Sequence, residues 1–307
     1  MHGGNLPPEP STFSFLPNPF RIVRRLPRYP GCATGPDEKL FAEKVLISKC
    51  PMKRMQNIER LILLLLKKSG NTLLRMQNSA LAKNKNAHDL VTNADLASEK
   101  IIVDAIRKKH PSHSIYSEES RRDDLFSENC WVIDPLDGTN NYAYGFPIWG
   151  VSIAYAQKGK VVAGGLAFPP QGIVMYAEKG KGAKMDGKKM HVSKRSDILK
   201  AMTLVDAHLS GSNGEANLAV LGKISRQVFN VRTLGAAVYN IGYVAAGLAD
   251  ACVQLKLQPY DGAAGALLVR EAGGKVTDME GKEWKLDTPS MVATNGRVHE
   301  AILEKLR

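Results

Sequence analysis

Carboxylates gather where short apolar runs end. In "CWVIDPLDGTNN" (residues 130–141), Trp131, Val132 and Ile133 lead into Asp134; Pro135 interrupts, and Asp137 follows with Gly138 and Thr139 behind it. In "HSIYSEES" (113–120), a second short run ends at Glu118 and Glu119. Strand ends that feed loops are where sheets display functional groups. Paired carboxylates there suit a hard divalent cation such as Mg2+, which takes oxygen ligands and keeps some of its water. Backbone N–H groups after Gly138 suit a phosphate if a helix opens at that point. Taken singly, each has a plainer reading: an Asp-Pro type I turn for the first, and a solvated charge pair for the second.

Two more acids stand at helix starts. In "DLVTNADLASEK", which also carries Asp89, Thr92 and Asp95 have the spacing of a capping box, with Asp in place of Glu or Gln. Asp261 precedes the small-residue run "GAAG" at 262–265, where an N-cap is the local reading. Those small residues also admit another backbone, or a ligand, at close range. Gathering so many like charges is costly if any is buried unpaired. Either the acids face water or cations stand among them. His110 and His113 fall in no triad pattern, and surface or packing roles are expected for both.

The elements that must position these residues are legible in outline. Ile58, Leu61, Ile62 and Leu65 recur at helical spacing, and "LILLLL" (61–66) fits the buried face of that helix. A second helix is expected over 94–109, with Leu96, Ile102 and Ile106 on one face and Pro111 beyond its end. Strand-like runs follow at "HSIYS", "CWVID", "GVSIAYAQ", "KVVAGGLAF" and "GIVMYAE". Past residue 200, the strands "MTLVDA" and "ACVQL" mix with helices at "LGAAVYNIGYVAAG" and "DGAAGALLVREAGG". The pattern predicts an α+β enzyme body in packed layers. Residues 53–307 are expected to form one domain of two packed halves, about 53–195 and 196–307.

Residues 1–52 read differently. Their proline- and glycine-rich first part shows no sustained period, which predicts a disordered extension or a start assigned too far upstream. An arginine-bearing organelle presequence is a third reading, but a long apolar signal core is missing. The longest apolar runs fall far short of the ~20 residues that span a bilayer. Cys32, Cys50, Cys130 and Cys252 form no metal-type spacing or disulfide framework, so a cytoplasmic location is expected. The net charge of +12 favours an anionic partner. With no aromatic-plus-basic recognition motif, a nucleic-acid partner is not expected, and an RNA-binding accessory factor stands as the lower alternative.

The motifs "DLVTNAD" (89–95), "SEES" (117–120), "WVIDPLDGTNNY" (131–142) and "YDGAAGALLVREAGG" (260–274), in this order, resemble the inositol monophosphatase family of lithium-sensitive, Mg2+-dependent phosphatases. The resemblance runs from about residue 55 to the C-terminus. It implies a layered α-β-α-β-α sandwich of the sugar-phosphatase type, a homodimer, and two or three Mg2+ ions. It implies metal ligands at Glu118, Asp134, Asp137 and Asp261 and at the Leu136 carbonyl, with Asp95, Glu118 and Thr139 catalytic. Substrate contacts are implied at Asp137, Gly138, Thr139, Gly235, Ala237, Gln254 and Asp261. The expected reaction is direct in-line attack by metal-activated water on a small phosphate monoester, with no phosphoenzyme.

Three departures bear on the alcohol. Gln254 stands where the family carries a glutamate, Tyr260 replaces a tryptophan, and Ala236 occupies a position where a hydroxyl residue is common. Strict myo-inositol specificity is therefore not expected. Fructose 1,6-bisphosphate and histidinol phosphate remain alternatives.

Overall fold

The computed structural model describes residues 54–77, 82–86, 89–120, 122–205 and 214–307. The extension read over 1–52 lies outside the described residues, as do Cys32 and Cys50.

The leucine run lies in α1 (Arg54–Met76), where Ile58, Leu61, Ile62, Leu65, Leu66 and Leu73 form one buried stripe. A short hairpin of β1 (Ala82–Asn86) and β2 (Asp89–Thr92) leads into α2 (Asn93–Lys109). In α2 the buried face is Ala94, Asp95, Ser98, Glu99, Ile102 and Ile106, while Leu96 is exposed. This corrects the sequence reading of Leu96. Its six-residue offset from Ile102 turns it well around the helix from that stripe, and polar side chains take the inner positions instead.

The first sheet has seven strands in chain order: β3 (Ser114–Ser117), β4 (Cys130–Asp137), β5 (Gly150–Gln157), β6 (Lys160–Phe168), β7 (Ile173–Glu178), β8 (Ala183–Met185) and β9 (Lys188–Lys189). Between β4 and β5 lies the one-turn helix α3 (Thr139–Tyr144). The second sheet draws on β10 (Met202–Val205), β11 (Asn230–Arg232), β12 (Ala251–Leu255), β13 (Lys275–Thr277) and β14 (Ser290–Thr294), in the order β11-β10-β12-β14-β13. Its helices are α4 (Gly214–Ser225), α5 (Ala237–Ala245), α6 (Pro259–Glu271) and α7 (His299–Leu306).

Strand alternation sorts the core into three bodies. Trp131 and Ile133 of β4 join α1 and α2 on one face of the first sheet, while Val132 faces α5 and α6 on the other. Cys252 of β12 joins that same middle layer, and its neighbours Ala251 and Val253 pack under α4 and α7. Helices thus cover both faces of both sheets, giving the α-β-α-β-α sandwich. Double coverage explains why these strands read as near-continuous apolar runs.

The Gly164-Gly165 pair of β6 lets the outer and middle helices seat closely. A Cβ on Gly164 would lie 3.1 Å from Ala264 Cα of α6, and one on Gly165 would lie 2.8 Å from a Leu66 methyl of α1. The small residues of α6 serve this packing too: Gly265 abuts Ile241 of α5. None of the described helices is long and apolar enough to cross a membrane.

Candidate metal and catalytic site

The acids meet where β4 breaks its regular pairing. Asp134 pairs with Ser152 of β5, but Asp137 pairs with Gly150, so the segment Pro135–Leu136 carries an extra residue. Pro135 has no N–H to give the ladder, and the strand passes it as a β-bulge rather than stopping there, which corrects the sequence reading. The bulge matters chemically. In a regular strand, residues three apart point to opposite faces; one inserted residue restores Asp134 and Asp137 to the same side.

Asp261 joins them from α6. Carboxylate oxygens of Asp134, Asp137 and Asp261 all lie within 4.8 Å of one another. Asp261 is not the N-cap expected from sequence. Gln258 caps the helix, Pro259 opens it, and Asp261 sits in the first turn, accepting from Gln258 N–H at 2.9 Å. That bond fixes the carboxylate where the helix start faces β4, and Ser152 Oγ of β5 donates to the Tyr260 carbonyl at 3.0 Å beside it.

Each remaining ligand candidate is held by local structure. Asp134, 1% exposed, accepts from its own neighbour, Leu136 N–H, at 3.0 Å. Asp137 is gripped from a hundred residues away: the N–H groups of Ala237 and Val238, at the start of α5, donate to its two oxygens at 3.3 and 3.0 Å. Ala237, a substrate contact in the sequence reading, gives its N–H to Asp137. Gly235 (φ +68°) turns the chain into α5, and Asn141 Nδ2 donates to the Leu234 carbonyl at 2.8 Å beside it. Glu118 follows β3 directly, its N–H donating to the Ile133 carbonyl at 3.2 Å.

Burial pushes Asp134 and Asp137 well above the usual carboxylate range, and their acidic neighbours push further. For Asp134 these are Glu118, Asp137 and Asp261; for Asp137, Asp261 dominates, against the lowering effect of the α5 N–H bonds. The charges that weigh most on Asp134, those of Glu118, Asp137 and Asp261, are all negative. Such a cluster is stable as anions only with cations among them.

Beside the cluster lies a chain of hydrogen bonds. Thr139 Oγ1 lies 2.9 Å from both Asp95 Oδ1 and the Leu136 carbonyl oxygen, its two acceptors. Gly138, with φ +82°, makes the sharp entry to α3 that places Thr139 there; a Cβ would meet the Ile148 carbonyl at 2.9 Å. The Thr92–Asp95 capping box is real as well. Asp95 does both: Oδ2 accepts from Thr92 N–H at 2.9 Å while Oδ1 takes Thr139. Burial raises its proton affinity, and the bonds from Thr92 and Thr139 oppose that.

Gln254 on β12 is fully buried, and neither amide atom meets a protein partner. Tyr260 packs by Tyr116, and the Arg122 guanidinium lies over both rings at 5.0 and 5.1 Å while donating to the Glu118 carbonyl at 2.6 Å. Sequence reasoning missed Arg122 because nothing local distinguishes it from a surface charge.

Among the described residues, the thiols and the buried imidazoles are poorly placed as nucleophiles. Burial pushes the thiols of Cys130 and Cys252 up to about 12, so neither supplies thiolate near neutral pH. His113 accepts from Trp131 Nε1 at 3.1 Å and stacks on His110, the packing roles expected for both. His299, buried between the hydroxyls of Thr277 and Thr294, is lowered to about 4.

Comparison with known proteins agrees with this geometry. The family model described as "Inositol monophosphatase family" matches residues 53–307. The fructose-1,6-bisphosphatase/inositol-1-monophosphatase of Thermotoga maritima is 33% identical over 246 residues, which cover 78% of this chain and 92% of that protein. The Nus factor SuhB of Escherichia coli K12 is 35% identical over the same shares. Among solved structures, the extragenic suppressor protein suhB of Bartonella henselae superposes with a TM-score of 0.77 at 32% identity, covering 82% of this chain and 98% of that one.

Proposed function

Since this chain belongs to the inositol monophosphatase family, we propose that it hydrolyses small phosphate monoesters of polyols or sugars in a Mg2+-dependent reaction. The observation that carries this reading is the convergence of Asp134, Asp137 and Asp261, with ligand oxygens within 4.8 Å and the negative charges of Glu118, Asp137 and Asp261 weighing on Asp134. This donor set fits a hard oxygen-seeking cation. Asp134, Asp137, Asp261, Glu118 and the Leu136 carbonyl would hold two or three Mg2+ ions. When bound, Mg2+ offsets the charge of the ester's phosphate and acidifies water.

The chain's own groups supply the rest. Thr139 Oγ1, donating to Asp95, keeps lone pairs for the proton of an attacking water. A proton taken at Oγ1 is passed to Asp95 Oδ1, whose burial favours receiving it. The N–H groups of Gly138 and Thr139, which follow Asp137 directly in the chain, are assigned to the phosphate oxygens. With no thiolate available from Cys130 or Cys252, direct attack by water is the economical route.

For the alcohol, Gln254 contributes hydrogen-bonding capacity without charge, so a range of polyol phosphates is expected rather than one. The name of the Thermotoga relative, which joins a sugar bisphosphatase with an inositol monophosphatase, supports that breadth. The test is phosphate release from inositol 1-phosphate, fructose 1,6-bisphosphate and histidinol phosphate, with Mg2+ and with added Li+. Hydrolysis of the first two, abolished by EDTA and inhibited by Li+, is expected. No release from any ester at any Mg2+ concentration would overturn the reading.

A second reading rests on the similarity to Nus factor SuhB and the +12 charge: an accessory factor that binds RNA. It would show as RNA affinity falling steeply with salt and unaltered by loss of the acidic cluster.

A further inference from the structure

One face of α2 reaches three of the segments that carry the site. Asp95 holds Thr139. One turn on, Ser98 Oγ donates to the Pro135 carbonyl at 2.6 Å, inside the bulge that aligns Asp134 with Asp137. Next to it Glu99, 4% exposed, accepts from Ser117 Oγ and from Ser120 N–H (3.1 Å) through the same oxygen, Oε1. Ser117 and Ser120 bracket Glu118 and Glu119.

That loop needs an anchor. It leaves β3, a four-residue strand at the edge of the seven-stranded sheet, whose outer side carries an isolated antiparallel bridge from Tyr116 to Arg122 and the Asp123 N–H bond to the Ile115 carbonyl rather than a full neighbouring strand. The Glu118 backbone has its own contacts, to the Ile133 carbonyl and from Arg122, but these set its main chain at one point. Glu99 ties both flanks to a rigid helix, one turn after Asp95. The cost of ordering the Glu118 side chain against the other acids is then met largely in the folded protein, before a cation arrives.

We propose that Glu99 is a positioning residue for metal binding: by accepting from Ser117 and Ser120 it holds the Glu118 loop against the Asp134–Asp137–Asp261 cluster. This rests on the metal-dependent reading above. Because Oε1 alone makes both bonds, the role is one of geometry rather than charge, and Gln preserves the accepting oxygen where Ala does not.

The test is titration of the EDTA-stripped, full-length protein with Mg2+ by calorimetry, in parallel with the melting temperature of the metal-free form. Wild type is expected to bind. Glu99→Ala should weaken binding about tenfold or more, and Glu99→Gln should restore most of it. Ser117→Ala, which removes one donor and leaves the helix intact, should give a smaller weakening with an unchanged metal-free melting temperature; it decides the matter if Glu99→Ala does not fold. Mg2+ affinity equal to wild type in Glu99→Ala, or in Ser117→Ala where Glu99→Ala is unfolded, overturns the proposal, as does Glu99→Gln behaving like Glu99→Ala. Absence of Mg2+ binding in wild type would instead overturn the metal-dependent reading itself.

Discussion

Asparagine in place of Asp134 should cut turnover at saturating Mg2+ about a thousandfold, the loss of some 4 kcal/mol of stabilisation for the charge that develops on the ester. The fold should survive, because an asparagine oxygen can still accept from Leu136 N–H. Stability should even respond in the opposite sense to activity. In the metal-free protein Asp134 and Asp137 hold protons well above the value of 3.8 at which an unfolded aspartate releases them. The folded state thus carries extra protons over that window, and its stability falls as pH rises from about 3.8 through the raised values. Asp134→Asn removes one of these groups and relieves its neighbour. Its metal-free melting temperature should therefore decline less steeply with pH than that of wild type. Full turnover in Asp134→Asn, or an unfolded variant, would contradict the assignment.

Thr139→Ala should lower kcat by about a hundredfold to ten-thousandfold, the range of a lost proton acceptor, with little change in Mg2+ affinity. Thr139 touches Asp95 and the Leu136 carbonyl but supplies no carboxylate to the cluster, which separates this variant from Asp134→Asn. Thr139→Ser keeps the hydroxyl and should recover a large share of the rate. If Thr139→Ala instead retained kcat and lost metal affinity, the hydroxyl would be an organiser of the cluster rather than part of a proton path.

How far the residues alone disclosed this arrangement depends on whether the relevant force is local. The stripe of α1, the two-faced strands and the capping box at Asp95 follow from apolar period and capping chemistry, which act over a few residues. Asp95 shows the limit of that logic: the Thr92 box is visible in the sequence, but its second bond, to Thr139, joins residues 44 apart. The Pro135 bulge reads as a strand end in the sequence because proline removes a ladder bond in either case, and only the partner strand shows that pairing resumes at Asp137. Leu96 reads as inward because it is apolar, whereas the inner positions are taken by Asp95 and Ser98, which face β4 and its exit, and by Glu99, which faces the loop after β3. Polar residues on an inner helix face look like surface until their distant acceptors are known. The grip of α5 on Asp137, across a hundred residues, leaves no local trace in either segment.

On the proposed reading, carboxylates scattered through the chain form a trap for divalent cations, and a calorimetric titration probes that trap without any substrate. EDTA-stripped protein titrated with Mg2+ near neutral pH, in two buffers of different ionisation enthalpy, is expected to bind saturably and to release protons, since ligand carboxylates must deprotonate; both signals should shrink in Asp134→Asn and Asp261→Asn. Failure of the wild-type protein to bind Mg2+, or binding indifferent to both substitutions, would contradict it.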